Sequence, residues 1–241
     1  MKLLCLLLGL NLFLTSRAIS APSATPGFEQ RIGQTLPLDT GFRDEQGVVR
    51  PLRDYFGRTP VVLYFNYFRC PQLCSVVADG VLDGLRRLNA TVGRNLTVIS
   101  ISIDPTDTAA AALIKQKQEV GRYGRKGAAA GWHTLTGDAA AIKAMTDAAG
   151  FHFTYDSRSR LFGHASGLVI VTPEGVVSRY FLGVNFPAPE LAAAVERAAS
   201  NRTGEPVFNL LLLCLQGGSP TGPYGRLIWL VLSISVGLTV I

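Results

Sequence analysis

Charged residues are scarce in this sequence of 241 residues: they make up 17% of it, against 48% hydrophobic residues. A disordered chain has the opposite balance, because it cannot bury enough apolar surface to offset the entropy cost of ordering. Positive charge is limited as well. The net charge is +6, and two of its contributors, Lys2 and Arg17, lie in a predicted leader. This excess is too small to indicate a nucleic-acid-binding protein, so we expect no nucleic-acid partner.

Cysteine is also rare, with four residues in the chain. Cys5 would leave with the leader, and Cys214 lies in the apolar run 210–215, so only Cys70 and Cys74 remain in the body of the protein. One close pair cannot be the disulfide framework of an exported domain. We therefore expect this pair to act as a redox pair or a metal site rather than as a structural bridge.

The N-terminus has the pattern of a secretory signal peptide. Lys2 precedes the apolar residues 3–14, and small residues end the segment at Ala21. A basic start, a short apolar stretch and a small-residue cleavage site predict a signal peptide over residues 1–21. A retained N-terminal anchor is the alternative. We expect a spacer over 22–34, a folded domain over 35–200 and a linker over 201–226.

The C-terminal segment 227–241 carries no charge. As a helix it would be about 22 Å long, which is shorter than the roughly 30 Å of a bilayer core. A thinned bilayer, or extension of the helix back through Tyr224, would allow it to span. A membrane anchor is the favoured interpretation, and an amphipathic or protein-packed tail is the alternative.

Strand and helix patterns alternate along residues 61–199. Residues 61–67 and 96–103 are apolar and rich in β-branched side chains, which is typical of buried strands. From Leu73 the apolar residues recur at helical spacing, and Asp107 and Thr108 can cap the helix after the second strand. The other predicted elements are strands at 132–135, 151–155, 167–172 and 176–182, helices at 138–149 and 189–199, and a solvated basic loop at 121–131. This order predicts an α/β fold with crossovers between its early strands.

Pro71 directly follows Cys70 and is tolerated only in the first turn of a helix. We therefore expect the helix to begin near Cys70, with Cys70 and Cys74 on the same side of its first turn. Cβ atoms at this spacing lie about 5–6 Å apart, whereas a relaxed disulfide needs roughly 3.5–4.5 Å, so a bridge would be strained and easily reduced. The helix N-terminus lowers thiol pKa values, which suits a nucleophile and a metal ligand equally.

Two thiolates favour a soft metal ion, with copper(I) and zinc as candidates. Structural zinc sites take four ligands, whereas copper(I) accepts two or three, so one histidine would complete a copper site. The chain has three histidines. His133 and His152 lie in predicted strands, where a structural role is the default. His164 precedes a strand in a segment that we expect to be a flexible loop, where ligands are commonly presented.

Four blocks of sequence together resemble the Sco/SenC family. They are Cys-Pro-Gln-Leu-Cys at 70–74, the strand end at 100–108, the segment 135–138, and His164 ahead of 171–175. The blocks occur in the order of the family, and the resemblance covers about residues 30–200. The apolar run that contains Cys214 and the segment 220–225 also resemble bacterial members with a hydrophobic C-terminal tail.

The resemblance implies a thioredoxin-like fold, with a central mixed sheet flanked by helices. It also implies a copper ion held by Cys70, Cys74 and His164, with Asp104 in a supporting role. The implied function is that of a copper chaperone for the dinuclear copper site of cytochrome c oxidase. The alternative is a thiol–disulfide oxidoreductase, with Cys70 and Cys74 as its catalytic pair, that reduces the cysteines of that site or of another exported protein.

The implied partners are the copper-bearing subunit of cytochrome c oxidase, other copper chaperones or thioredoxin-like reductants, and the membrane through the tail. The implied location is the periplasmic side of a bacterial inner membrane. Five basic residues could help to dock an acidic partner, although a solvated surface is the favoured interpretation. They are Lys115, Lys117, Arg122, Arg125 and Lys126.

Two positions depart from the family pattern. Many members have Asp directly before the histidine, whereas this chain has Gly163. A carboxylate that could orient the imidazole is then missing or comes from elsewhere. Many members also have proline directly after the second cysteine, where this chain has Ser75. Neither departure removes a ligand, although both could change the metal affinity.

Overall fold

The computed structural model describes residues 25–69 and 73–206, and the side chains of residues 73–75 lie outside this description. The predicted signal peptide (1–21), the predicted membrane anchor (227–241) and most of the predicted linker (201–226) fall outside the described residues. Cys70 and Pro71 also fall outside, as does the side chain of Cys74. Within the described ranges, no helix is long and apolar enough to cross a membrane.

Ten strands and four α-helices make up the described part of the chain. The strands are β1 (Gly27–Phe28), β2 (Gly41–Arg43), β3 (Val49–Pro51), β4 (Val61–Asn66), β5 (Thr97–Ser102), β6 (Trp132–Leu135), β7 (Phe151–Asp156), β8 (Leu161–His164), β9 (Gly167–Val171) and β10 (Val177–Leu182). The helices are α1 (Leu73–Arg86), α2 (Ala109–Tyr123), α3 (Ala139–Ala148) and α4 (Ala188–Ala199), and 3-10 turns cover Leu52–Tyr55 and Ala128–Gly131.

A five-stranded mixed sheet forms the centre of the molecule, with the strand order β10-β9-β4-β5-β6. β4, β5 and β6 are parallel, whereas β9 runs antiparallel to both β4 and β10. α1 and α2 are the crossovers between the parallel strands, as the alternating pattern predicted. All six residues of β4 are buried, which is the expected state of a central strand covered on both faces. The α/β prediction is confirmed.

Two apolar cores lie on opposite faces of this sheet. One contains Tyr64 of β4 together with residues of α1 and α4, such as Val81 and Leu191. The other contains Phe65 of β4 together with residues of α3 and β7, including Phe151. Successive residues of β4 therefore face different layers, as the alternation of side chains along a strand requires. The carboxyl end of β4, which leads to the cysteine segment, emerges between the two layers.

Smaller sheets accompany the central one. β1, β7 and β8 form a three-stranded antiparallel sheet, and β2 pairs with β3 as a hairpin. β1 belongs to the segment 22–34 that was expected to be a spacer, where Gly27 pairs with His152. The sequence did not predict β8, which lies opposite β7 with Phe153 facing His164.

The prediction of a solvated loop over 121–131 is wrong in part. α2 continues to Tyr123 and ends at Gly124, whose φ of 76° permits the left-handed cap. Arg125 donates hydrogen bonds to the backbone carbonyls of Arg86, Leu88 and Ala90 just beyond α1. This segment is held against the body of the protein because its arginine satisfies carbonyl groups at the end of a helix.

Gly80 allows α1 to approach the segment 183–186 closely. A Cβ atom at position 80 would clash with the backbone carbonyl of Val184. The same segment donates a hydrogen bond from the amide of Gly183 to the carbonyl of Ser166, two residues after His164. This contact therefore fixes α1, the helix that follows the cysteine segment, against the chain that leaves His164.

We predict that Gly80→Ala lowers the free energy of unfolding by about 1–3 kcal/mol, because the new methyl group overpacks a backbone contact. Gly121→Ala in α2 is the matched control, since nothing lies within 4 Å of a Cβ atom there. That variant should be more stable by about 0.5–1 kcal/mol, as expected for Gly→Ala within a helix. Urea unfolding measures both values. Equal shifts of the same sign would contradict the packing role of Gly80.

Candidate metal centre

His164 is the last residue of β8, so the expectation that it lies in a flexible loop is wrong. Its backbone pairs with Phe153 across the antiparallel β7–β8 hairpin. The hairpin carries aromatic side chains that pack together, with the rings of Phe153 and Phe162 5.9 Å apart. Such cross-strand aromatic pairs stabilise a hairpin, which therefore presents the imidazole from a fixed frame.

The imidazole of His164 has a defined tautomer. Its Nδ1 atom lies 2.9 Å from the backbone carbonyl oxygen of Ala165. A carbonyl oxygen can only accept a hydrogen bond, so Nδ1 carries the proton and Nε2 keeps its lone pair. The ring also lies against the aromatic rings of Tyr67 and Phe151, each 5.9 Å away between centroids. Burial lowers the pKa of His164 and so favours the neutral ring, although the bond to Ala165 partly opposes this effect.

The carbonyl of Ala165 can orient the imidazole in place of the carboxylate that position 163 lacks. Metal-binding imidazoles are commonly oriented through the other ring nitrogen by a carboxylate or a backbone carbonyl. A side chain at position 163 would also be crowded, because its Cβ atom would lie 3.0 Å from the hydroxyl oxygen of Thr154. The departure from the family pattern at Gly163 therefore leaves the orientation of the ring intact.

Two side chains of the β5–α2 turn hold the chain that leads into the cysteine segment. The backbone amide of Phe68 donates a hydrogen bond to the Asp107 carboxylate at 2.9 Å. Arg69 donates from Nη2 to the Asp104 carboxylate at 2.8 Å and also bonds Thr106. Both residues immediately before Cys70 are therefore attached to one short turn at the end of β5. We call this set of contacts the carboxylate clamp.

The two carboxylates of the clamp have opposite pKa shifts. Burial raises the pKa of Asp104, but hydrogen bonds from Thr106 and Arg69 outweigh burial and lower it overall. Burial also raises the pKa of Asp107, and bonds from Ser102 and Phe68 offset this only in part. Asp104 thus acts as a charge partner of Arg69, whereas Asp107 acts chiefly as a half-buried hydrogen-bond acceptor.

The sequence interpretation assigned Asp107 only to helix capping. Thr108 is the N-cap of α2, where its hydroxyl accepts a hydrogen bond from Ala111. Asp107 instead bonds the backbone 39 residues earlier, at Phe68. A local motif cannot reveal so distant a partner. Asp104 forms an ion pair with Arg69 at 2.8 Å, and its supporting role at the metal site stays a prediction.

Asn66 is a further polar residue at this edge of the sheet, and the sequence interpretation missed it. It ends β4, is 1% exposed, and neither amide atom has a hydrogen-bond partner among the described residues. Alternation along β4 places its side chain on the face that carries α1, opposite to Tyr67. Its sequence signal is an amide at the end of an otherwise apolar central strand. A buried amide without partners is costly, which points to a role other than stability.

Asn66→Leu should raise the free energy of unfolding by about 1–3 kcal/mol, because it replaces a buried unpaired amide with an apolar side chain of the same branched shape. Thr134→Val is the matched control in the same sheet, since the Thr134 hydroxyl is buried and accepts a hydrogen bond from Ser100. That variant should be less stable by about 1 kcal/mol. Chemical denaturation compares the two. Destabilisation by Asn66→Leu would show that the amide is bonded in solution.

The other two histidines have carboxylate partners away from His164. His133 lies 3.4 Å from the buried carboxylate of Glu45, at the edge strand β6. His152 lies 3.4 Å from Glu29, near β1. Both contacts are consistent with the structural role that was the default for these residues.

The described residues bring His164 close to the chain before Cys70 but contain no complete metal site. No group of three or more His, Cys, Asp or Glu among them could hold a metal ion. The proposed ligand set therefore depends on Cys70 and Cys74, which lie outside the described atoms. The structure supplies one oriented imidazole and the anchored chain leading to the first thiol.

Comparison with known proteins identifies the family. The SCO1/SenC family model matches residues 41–200. A search of the curated proteins found no match. The mixed sheet flanked by helices is the thioredoxin-like fold that the sequence resemblance implied.

Three solved structures illustrate the likeness. A candidate electron transfer protein from Aquifex aeolicus VF5 is 26% identical, with a TM-score of 0.62 over 70% of this chain and 95% of its own. ScoI from Bradyrhizobium japonicum, solved with copper bound, is 20% identical, with a TM-score of 0.51 over 70% of this chain and 99% of its own. BsSco, a member of the Sco family of cytochrome c oxidase assembly proteins, is 20% identical, with a TM-score of 0.55 over 71% of this chain and 98% of its own.

Proposed function

Because this chain belongs to the SCO1/SenC family, we propose that it is a copper chaperone. Cys70, Cys74 and His164 bind the copper ion, and the protein delivers it to the dinuclear copper site of cytochrome c oxidase. The observation that carries this proposal is the tautomer of His164, whose Nδ1–H is bonded to Ala165 so that Nε2 keeps its lone pair. A ScoI protein of the same fold has been solved with copper bound.

The chain length between the anchored residues supports this ligand set. The ring of Tyr67 lies 5.9 Å from the ring of His164, and Cys70 is three residues after Tyr67. Three residues span at most about 11 Å, so the first thiol is tied to the neighbourhood of the imidazole. Two thiolates and one imidazole are soft or borderline ligands, which suit copper(I) in a three-coordinate site.

Delivery proceeds by ligand exchange. Thiolates of the acceptor displace the donors of this chain one at a time, so copper(I) is never released into water. The clamp holds the cysteine segment while His164 stays fixed in the hairpin, which gives the incoming thiolates a fixed geometry to approach. The neutral state of the ring, favoured by burial, means that no proton has to leave before Nε2 binds the metal.

Export is part of the proposal. A signal peptide over residues 1–21 directs the chain to the periplasmic side of the inner membrane, and residues 227–241 anchor it there. Other copper chaperones or thioredoxin-like reductants load copper or reduce the cysteines. The acceptor is the copper-bearing subunit of the oxidase.

The alternative is a thiol–disulfide oxidoreductase that uses Cys70 and Cys74 alone. Dithiol exchange depends on the thiolate character and accessibility of the cysteines, not on the orientation or tautomer of an imidazole. The oriented ring of His164 therefore favours metal binding over simple thiol exchange. A reducing role toward the same acceptor is compatible with the fold and is tested separately below.

His164→Ala should weaken copper(I) binding by more than the roughly 10–100-fold that loss of an outer-shell partner costs, because it removes a ligand. His152→Ala is the matched control, since that imidazole lies on β7 and contacts Glu29. Its copper affinity should equal that of the wild type. Competition with a copper(I) chelator under anaerobic reducing conditions measures both. Wild-type affinity in His164→Ala would end the three-ligand model.

The same variants separate the two functions through a redox titration. The Cys70–Cys74 couple is equilibrated with a glutathione buffer in the wild type and in His164→Ala. If the protein is a chaperone, His164→Ala loses copper affinity while dithiol exchange survives. Efficient reduction of the acceptor's disulfide to its two thiols, with oxidation of Cys70 and Cys74, by a variant that cannot bind copper would favour the oxidoreductase instead.

Removal of the clamp should also weaken copper binding. Asp107→Ala deletes the acceptor of the Phe68 amide, and we expect copper(I) affinity to fall about 10-fold, as for other groups that orient ligands. Asp107→Asn keeps an amide oxygen that can accept the same bond, so it should recover most of the affinity. The chelator competition applies again. Equal affinities in the alanine variant and the wild type would exclude a positioning role for Asp107.

A further inference from the structure

An open apolar groove lies beside the candidate metal centre. Its volume is about 590 Å³, within the range typical of binding pockets, and apolar atoms dominate its surface. Ile103, after β5, and Ile142, on α3, form its floor, and Phe153 and Phe162 of the β7–β8 hairpin form one wall. Tyr155 of the same hairpin is 55% exposed at the edge. We call this feature the hairpin groove.

The hairpin groove and the proposed copper site share a wall. Phe162 lines the groove and also contacts Tyr67, with 5.2 Å between ring centroids. Tyr67 in turn contacts the ring of His164. Arg69 lines the groove as well and directly precedes Cys70. By this route a protein segment bound in the groove would be separated from the imidazole by two aromatic rings, those of Phe162 and Tyr67.

The rim of the groove is basic. Arg69 is paired with Asp104, whereas the exposed Arg160 forms no ion pair with any other described residue. Arg158 lies in the same β7–β8 turn and is also exposed. The acidic residue of this turn, Asp156, is engaged by the amide of Arg158. The β7–β8 turn thus carries two arginines and one carboxylate, so the groove favours a negatively charged occupant.

Arg160 has a backbone conformation that is unusual for arginine. Its φ of 58° lies in the left-handed region, which L residues with a Cβ atom rarely adopt and which glycine adopts freely. The described residues contain one other non-glycine residue with positive φ, Asn201, whose residue type tolerates this conformation better. A strained arginine at a groove rim is a reason to look for a function of its guanidinium.

We infer that the hairpin groove is the docking site for the acceptor protein, and that it receives an acceptor segment in which an apolar side chain is flanked by carboxylates. This inference rests on the proposed function, since it concerns the partner of the same site. The apolar side chain enters the groove against Phe153 and Phe162, while the carboxylates meet Arg160 and Arg158. Docking there places the acceptor's copper ligands next to His164.

Two variants test the groove without disturbing the proposed copper ligands. Arg160→Gly removes the guanidinium and suits the positive φ, so its melting temperature should equal or exceed that of the wild type. Ala139→Glu adds a negative charge where the exposed first residue of α3 lines the groove, and a carboxylate at a helix N-terminus is favourable. Arg94→Ala is the control. Arg94 is an exposed arginine that precedes β5, so it lies at the amino end of that strand, whereas the groove lies at its carboxyl end.

The probe is the purified, reduced and copper-free soluble domain of the copper-bearing oxidase subunit from the same organism. Its dissociation constant from the full chain is measured by calorimetry at low and moderate salt. We expect Arg160→Gly and Ala139→Glu each to weaken binding by about five-fold or more, with a shallower salt dependence for Arg160→Gly, as for charges at an interface rim. Arg94→Ala should bind like the wild type.

Several results would overturn the inference. Wild-type affinity in both groove variants would do so, as would failure of the wild-type chain to bind the domain at all. Loss of self-association instead of acceptor binding would assign the groove to a second copy of the chain. A chain that docks through the groove but binds no copper would refute the chaperone function and leave the docking site standing.

Discussion

The geometry of the candidate centre depends on the carboxylate clamp. The backbone amide of Phe68 and the side chain of Arg69, which are consecutive residues, are both bonded to the turn after β5. This turn lies at the carboxyl edge of the parallel strands, which is where α/β sheets place their functional groups. Asp107 is half-buried and accepts hydrogen bonds from the Ser102 hydroxyl of β5 and from the Phe68 amide, so it ties the chain before Cys70 to the sheet. The clamp fixes the chain as far as Arg69, which would lower the ordering entropy lost if Cys70 binds a metal as proposed.

The imidazole side of the candidate centre is held by a different kind of contact. His164 comes from the β7–β8 hairpin, and the aromatic rings of Tyr67 and Phe151 pack against its imidazole. The neutral, oriented imidazole is the product of this environment, because burial opposes its protonation and the Ala165 carbonyl selects the tautomer. A polar clamp therefore anchors the chain that leads to the thiols, and an apolar frame holds the imidazole, so different interactions position the two sides of the centre.

The parts of this fold that the sequence could predict are those with a local cause. β4 and β5 are continuous apolar runs, and Thr108 and Asp138 cap α2 and α3 as local hydrogen-bond acceptors. β8 was missed because it is four residues long and contains Gly163, so that its pattern resembles a loop; its stability comes from pairing with β7. The sequence could not predict the hydrogen-bond partner that Asp107 has at Phe68. Nor could it predict that the Asn66 amide has no hydrogen-bond partner among the described residues. Both depend on strands that are distant in sequence and meet only in the folded sheet.

The aromatic hairpin links the proposed copper site to the proposed docking groove. Its rings face His164 on one side and the hairpin groove on the other, through Phe162 and Tyr67. An acceptor segment in the groove would displace water from the face of Phe162 and extend the apolar surroundings of the imidazole. Lower local polarity strengthens the attraction between a copper cation and thiolates. This holds for the thiolates of this chain and for those of the acceptor. Docking beside the ligands would thus favour direct exchange between two sets of donors over loss of the ion to water, which is what a carrier of a reactive metal requires.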